Sequence, residues 1–252
     1  MTATHSLLAR ARLLAVLGVL APFALVASAC IGVDIARQDA ALAAESNVRP
    51  GINDSFLKAE SAAPHAARFE TESREIYAHR VAIVEALHLR PGQSIADIGA
   101  GTGLFVEPFA NAVGDAGTVY AVDIAPAMVA WIGQRIRREG LANVKPVKCS
   151  DRSAELPDAS IDVAFVCDTY HHFEYPKNTL ASIHKALRTG GELVVIDFHR
   201  IPGKTKQWTL DHVRAGEEVF RQEILDAGFE LVERRDDLLE ENWFARFRRI
   251  TR

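Results

Sequence analysis

The stretch Ser94-Ile95-Ala96-Asp97-Ile98-Gly99-Ala100-Gly101-Thr102-Gly103 decides the fold. Its first half is a short apolar run of the kind that forms a buried strand, whereas the glycines at every second position after it suit neither a strand nor a helix. Glycine lets the backbone turn sharply and approach a ligand closely, and the unpaired N–H groups at a helix start offer hydrogen bonds. Leu104 to Val113 reads as that helix. Strand, glycine loop and helix in this order open an α/β domain, although a loop of this kind also occurs as a tight turn without a ligand.

Working outward, helix-period and strand-period segments alternate. Upstream, Phe69, Tyr77, Val81, Val84 and Leu87 are expected to line one face of a helix that ends before Pro91-Gly92. Downstream, Thr118 to Val122 is a second strand, and Pro126, suited to a first helical turn, opens a helix that stops at Gly140. Val144 to Lys148 and Ile161 to Val166 are further strands, and Pro176 to Leu187 is a helix with Leu180, Ile183, His184 and Leu187 on one side. Gly190-Gly191 separates it from the strand Glu192 to Phe198. This alternation predicts a doubly wound, mostly parallel sheet with helices on both faces. After a helix carrying Val213, Phe220, Ile224 and Ala227, strands Phe229 to Arg234 and Trp243 to Arg249 follow with no helix between them. They are expected to pair as an antiparallel hairpin and to complete a seven-stranded α/β fold.

Composition sets the outer bounds. Of 252 residues, 48% are hydrophobic and 25% charged, which excludes a mostly disordered, collagen-like or polytopic membrane chain. The net charge of −4 argues against a nucleic-acid backbone as partner, since phosphate binding needs clustered positive charge. Three cysteines are too few for a disulfide scaffold. Arg10 and Arg12 precede an uncharged apolar run from Leu13 to Ala29, interrupted by Pro22 and closed by Ala27-Ser28-Ala29-Cys30. That is the layout of a secretory signal, and Cys30 after small residues resembles a bacterial lipobox, with Ala27 where that box usually has Leu. The expected organisation is therefore a signal peptide or membrane anchor over residues 1–29, an Ala- and Ser-rich linker over 30–68, and one domain over 69–252. The domain is expected to be exported or membrane-attached, through the N-terminus or a lipidated Cys30, and cytoplasmic if Met1 is a mis-assigned start.

Asp123 ends the second strand about 20 residues after the glycine loop, where a carboxylate can accept both hydroxyls of a ribose. Alone it would more often cap the Pro126 helix, so its weight lies in the pairing with the loop. At these residues the chain resembles the class I S-adenosylmethionine-dependent methyltransferases. Ile95-Ala96-Asp97-Ile98-Gly99-Ala100-Gly101-Thr102-Gly103 is similar to that family's first motif and Tyr120-Ala121-Val122-Asp123 to its second. Leu156-Pro157-Asp158-Ala159-Ser160-Ile161-Asp162 and Leu187-Arg188-Thr189-Gly190-Gly191-Glu192-Leu193 resemble its later motifs. The resemblance implies a Rossmann-like fold, S-adenosylmethionine as cofactor and a small-molecule methyl acceptor. It implies that Asp97, Gly99, Ala100, Gly101 and Gly103 hold the methionine part and Asp123, with Ile124 beside it, the ribose. Asp151 is the candidate for the adenine amino group, although four residues rather than three separate it from Leu156-Pro157. Asp168, after the fourth strand, is counted with the cofactor side. A nicotinamide-dependent oxidoreductase would also use a glycine loop and a strand-end acid, and a non-catalytic domain could retain both.

The other distinctive cluster is Asp168-Thr169-Tyr170-His171-His172-Phe173. Ligands of an open parallel sheet sit beyond the carboxyl ends of its strands, so this loop is expected to face the transferred methyl group, with Tyr170, His171 and His172 as catalytic candidates. An imidazole titrates near neutrality and could serve as a base for an O–H acceptor. Vicinal histidines cannot both point one way from an extended backbone, so one is expected to face the site and the other to pack. No metal is expected, because the pair lacks the third ligand that zinc requires. Asp197 and His199, after the fifth strand, either join the acceptor pocket or satisfy the strand end. Cys149 and Cys167 read as buried small hydrophobes. Arg246, Arg248 and Arg249 read as a solvated edge, split between two faces by strand alternation.

Overall fold

In a computed structural model, residues 37–38 and 40–250 are described. The chain divides into two units, 1–44 and 45–252. In the first, residues 37–38 and 40–43 are helical. The expected signal or anchor ending at Cys30 lies outside the described residues. Among the described residues no helix is long and apolar enough to cross a membrane.

The second unit is built on one seven-stranded sheet in the order β3-β2-β1-β4-β5-β7-β6. The strands are β1 (Ser94–Ile98), β2 (Thr118–Asp123), β3 (Val144–Lys148), β4 (Ile161–Cys167), β5 (Leu187–Phe198), β6 (Phe229–Arg235) and β7 (Asn242–Arg249). β1 to β5 run parallel; β7 lies antiparallel between β5 and β6, pairing Glu192 with Arg248 and Leu231 with Phe247. The doubly wound sheet with a terminal hairpin is thus as the sequence predicts.

Central strands are buried on both faces: every residue of β1 is buried, as expected when helices cover each side of a parallel sheet. Alternation within β7 sends Trp243, Ala245 and Phe247 to one core and Phe244 to the other. Pro146 is accommodated because β3 is an edge strand paired on one side only. β6 closes the opposite edge with Glu230, Glu233, Arg234 and Arg235, charges that oppose edge-to-edge pairing. Arg246 is not at a solvated edge as the sequence suggested. It is 6% exposed, and its guanidinium meets Glu192 at 2.8 Å and Glu233 at 2.9 Å.

The largest departure from the sequence reading is at the start of the domain. The linker expected up to residue 68 is corrected: from Glu45 on, the chain packs as part of the second unit. It forms helices α1 (Asp54–Leu57) and α2 (Ala63–Phe69), and Ala62 is only 2% exposed. Pieces this short have no room for a sustained 3.6-residue period, so their apolar residues look unpatterned in sequence. The single helix expected between Phe69 and Leu87 is likewise broken into α3 (Glu75–Ala78) and α4 (Arg80–Ala86). Its buried residues are Ile76, Ile83, Ala86 and Leu87, whereas Val81 is exposed. The remaining helices are α5 (Val106–Val113), α6 (Pro126–Glu139), α7 (Pro176–Ala186), α8 (Gln207–His212) and α9 (Glu217–Asp226).

Candidate active site

The strand order reverses direction between β1 and β4, so the loops leaving their carboxyl ends diverge and open a cleft. Its volume is about 730 Å³, within the usual range of small-molecule sites. Thr169 bridges the two loops, its hydroxyl donating to the Gly99 carbonyl at 3.3 Å. A Cβ on Gly99 would lie 2.1 Å from the Thr169 methyl, so glycine there allows the β1 and β4 loops to meet. Gly101 serves differently. At φ +56° its added Cβ would meet only the Gly99 carbonyl, 4.0 Å away, and the residue lines the cleft, leaving room for close approach of a ligand.

Two carboxylates give the β1–β2 side its character. Asp97, at the end of β1, is 3% exposed, and its Oδ2 is buried without a hydrogen-bond partner among the described residues. Burial, and then the nearby Asp123 carboxylate, push its pKa up to about 8. Asp123 accepts the Gly101 N–H at 2.8 Å through Oδ2 and the Ala125 N–H at 2.8 Å through Oδ1. It therefore fastens the glycine loop to β2. Burial raises its pKa to about 6 against the opposing pull of those N–H groups. Two acids held this way, one with an oxygen that has no partner among the described residues, make a receptor for a cation.

The N-terminal segment is tied across this region. Glu70 accepts from the Thr102 hydroxyl at 2.8 Å and from Arg135 at 3.2 Å. Arg74 pairs with Asp168, whose other oxygen accepts from the Asn242 amide at 2.6 Å. The Glu75 carboxylate takes the backbone N–H groups of Glu241 at 3.0 Å and Asn242 at 3.1 Å. Asp168 borders the cleft, but both its oxygens are already engaged. Its structural role is to anchor Arg74, and burial raises its pKa to about 6 although Arg74 pulls the other way.

Across the cleft, residues Tyr170–His172 form a turn of 3₁₀ helix. Successive side chains of a 3₁₀ turn fan out by about 120°. This corrects the expectation drawn from an extended backbone: both histidines line the cleft, their ring centroids 4.4 Å apart, and the tyrosine is the residue turned away. Tyr170 is fully buried against Phe173 and Phe220, and its hydroxyl donates to Glu223 at 3.0 Å. It does not line the cleft and is not a catalytic candidate.

The imidazoles are individually fixed. Asp197, fully buried, accepts the His171 backbone N–H at 3.0 Å and pairs with His171 Nδ1 at 2.8 Å. The strand-end aspartate thus serves the site by orienting a histidine. His172 Nδ1 faces Asn53 Oδ1 at 3.1 Å, while the Asn53 amide donates to the His172 carbonyl and to Glu174. His212, from α8, brings its Nε2 to 3.3 Å from His172 Nε2 and stacks on Trp208 at a centroid distance of 4.7 Å. Burial, with His171 beside both, lowers His172 to about 2 and His212 to about 4. Both shifts favour the neutral ring.

Of the residues singled out in sequence, Asp97, Gly99, Ala100, Gly101, Asp123, Ile124, Asp151, Asp168, His171 and His172 all line this one cleft. Asp151 is exposed at its rim. Gly103 does not line it: a Cβ there would press on Ile132 and Val106 at 3.3 Å, so its place is helix packing and not the cradle. Cys149 and Cys167 are free thiols bordering the cleft, and burial pushes the Cys149 thiol up to about 12. Sequence reasoning missed Asn53, Phe56, Arg74, Trp208 and His212, none of which sits in a motif.

The fold is the Rossmann-like α/β arrangement shared with S-adenosylmethionine-dependent methyltransferases of known structure. Residues 96–195 match the family model described as Methyltransferase domain. The chain is 31% identical over 121 residues to the ubiquinone/menaquinone biosynthesis C-methyltransferase UbiE of Ectopseudomonas mendocina, covering 48% of this chain and 47% of that one. The chain spans about half the length of the curated relatives it matches. Among solved structures it is similar to an S-adenosylmethionine-dependent methyltransferase from Aquifex aeolicus, with TM-score 0.67 and 21% identity over 74% of this chain and 98% of the other. It is also similar to an N-methyltransferase of Haemonchus contortus solved with S-adenosylhomocysteine, with TM-score 0.58 and 19% identity over 69% of this chain and 53% of that one.

Proposed function

We propose that this chain transfers a methyl group from S-adenosylmethionine to a small-molecule acceptor held between the glycine loop and the histidines. The observation that carries the reading is the buried, unpartnered Oδ2 of Asp97 beside Asp123. An amino-acid ammonium is the partner such an oxygen lacks, and Asp123 retains lone pairs for ribose hydroxyls beyond those used by Gly101 and Ala125. When bound, the cofactor supplies a sulfonium methyl whose positive charge is lost as the new bond forms. The protein's contribution is then position and a dry site. Gly101 leaves space for the ligand, Asp97 and Asp123 orient it, and the Glu70 and Arg74 contacts hold the N-terminal segment over the loop.

The acceptor side is aromatic as well as imidazole-lined, with Phe56, Phe69, Phe198 and Trp208 bordering the cleft. That suits a planar, largely apolar acceptor. Similarity to C-methyltransferases favours carbon as the methylated atom; a ring carbon becomes nucleophilic when a hydroxyl next to it ionises. A nicotinamide dinucleotide is disfavoured, because it carries no amino-acid ammonium for the buried Asp97 oxygen. The discriminating experiment is calorimetric titration of the full chain with S-adenosylhomocysteine and, separately, NADH. Saturable binding of the first and none of the second is expected, and the reverse would overturn the reading. We also propose that the segment before Cys30 carries the domain to the cell envelope. Fractionation with mass analysis of the mature N-terminus tests this, and an intact Met1 terminus in the soluble cytoplasmic fraction would refute it.

A further inference from the structure

The third imidazole changes what the histidine turn can do. One ring nitrogen from each of His171, His172 and His212 lies within 4.8 Å of the other two. Two nitrogens bound tetrahedrally to a zinc ion at about 2.0–2.1 Å stand roughly 3.3–3.4 Å apart. The Nε2 atoms of His172 and His212 are 3.3 Å apart, already the spacing of two ligands on one ion.

Hydrogen bonding decides which nitrogens are available. The Asn53 amide nitrogen is committed to the His172 carbonyl at 3.1 Å and to Glu174 at 3.0 Å, which turns Oδ1 toward the His172 ring. A carbonyl oxygen only accepts, so His172 Nδ1 carries the proton and Nε2 the lone pair. Asp197 does the same for His171: its carboxylate receives Nδ1–H at 2.8 Å and leaves Nε2 as the lone-pair nitrogen. An imidazole whose other N–H is held by a carboxylate or amide oxygen is the usual second layer of a metal site, because it fixes tautomer and ring orientation. Trp208 stacks on His212 and steadies the third ring.

We propose that His171, His172 and His212 form a site for a divalent transition-metal ion of the zinc type, open on the side of the cleft that all three residues line. Three imidazole ligands with a remaining open position are the ligand set of a catalytic rather than a structural zinc. The existence of the site does not depend on the methyl-transfer reading; its use does. An enol or phenol oxygen entering the open position would form the metal–oxygen bond, break its O–H bond and release the proton to water at neutral pH. The acceptor would thereby become an oxyanion without needing an imidazole base.

The test uses the tag-free full chain, stripped with chelator and titrated with Zn²⁺ alone by calorimetry and with Co²⁺ alone by absorption, with S-adenosylhomocysteine in a separate titration. One equivalent of Zn²⁺ at micromolar affinity or tighter is expected, with the visible bands of cobalt in a low-coordinate imidazole site. His172→Gln and His212→Gln should each weaken metal binding about 100-fold or more, with S-adenosylhomocysteine affinity unchanged within about threefold. Asp197→Asn, which only repositions a ligand, should weaken it about 10–100-fold. His199→Gln should have no effect. A folded wild-type chain that binds S-adenosylhomocysteine but not stoichiometric metal overturns the metal site and leaves the methyl-transfer reading standing. Undiminished metal binding in the His172→Gln, His212→Gln double variant also overturns it. Metal binding by this cluster without S-adenosylhomocysteine binding supports the site and removes the methyl-transfer reading.

Discussion

If Asp97 is the receptor for the cofactor's ammonium, ligand affinity must follow the ionisation of a buried acid. In the unliganded protein burial and Asp123 hold its pKa near 8, so at about pH 6.5 all but roughly one molecule in thirty carries it protonated. Binding a cation there requires the carboxylate, so the proton must leave first. Working from that pKa, S-adenosylhomocysteine should bind about 25-fold more weakly at pH 6.5 than at pH 8.5, a difference of about 2 kcal/mol. Asp97→Asn keeps the shape and removes the titration. Its affinity should fall by one to two decades at pH 8.5, the value of a charge-assisted bond at about 1.5–3 kcal/mol, and should show a much flatter pH profile. Stability gives an independent reading with a definite sign. The folded pKa lies above the ordinary 3.8, so between these values the native state binds more protons than the unfolded chain, and unliganded stability falls as pH rises toward 8. The Asn variant escapes that loss, and its unliganded Tm should exceed the wild type's by more at pH 8.5 than at pH 6.5. Calorimetry and thermal melts at the two pH values measure both quantities. A wild-type dissociation constant that is constant across this range, or an Asn variant with the wild-type pH profile, would refute the assignment of Asp97.

Other substitutions separate the roles of neighbouring residues. Asp123→Ala should weaken S-adenosylhomocysteine binding by one to two decades and also lower Tm, because the Gly101 and Ala125 N–H groups lose their acceptor; unchanged affinity by calorimetry would remove Asp123 from the site. Gly101→Val should abolish binding in a chain still folded by circular dichroism, since a branched side chain opposes φ +56° and fills the cleft; normal binding would exclude the loop. Tyr170→Phe should leave S-adenosylhomocysteine affinity unchanged and cost about 1 kcal/mol in denaturant unfolding, because Glu223 keeps Arg214 at 2.6 Å after losing the hydroxyl. A fall in affinity would return Tyr170 to the cleft.

Much of this protein is readable along the chain. The succession of strands, the parallel sheet and the closing hairpin follow from apolar patterning and from where helix-period segments are missing, both local properties of a dozen residues or so. β5, however, begins at Leu187 and runs through Gly190-Gly191, which reads in sequence as a break before Glu192. Asp97, Gly101 and Asp123 could be assigned to the ligand end of the sheet because strand ends converge there by topology, whatever the side-chain detail. The glycines were harder to sort. Gly99, Gly101 and Gly103 look alike in sequence, and only their neighbours Thr169, open cleft and Ile132 distinguish loop docking, ligand access and helix packing.

What the sequence determined by itself was the order of elements and the identity of the acids and imidazoles at the strand ends, because backbone preference and burial periodicity act over short range. Tertiary structure alone decided which of those groups meet. His212 lies 40 residues from His172, in a short helix with no motif, and joins it only because α8 packs back over the cleft. Tyr170 and its two histidines are adjacent in sequence yet diverge, since a 3₁₀ turn sends one into the core and two into the cleft. Asn53 reaches His172 from a stretch that reads as linker, because helices too short to show a period are held by packing rather than by their own sequence pattern. The pKa of Asp97 belongs to the same category: the residue type is written in the chain, but the burial and the second carboxylate that raise it exist only after β1 and β2 have paired.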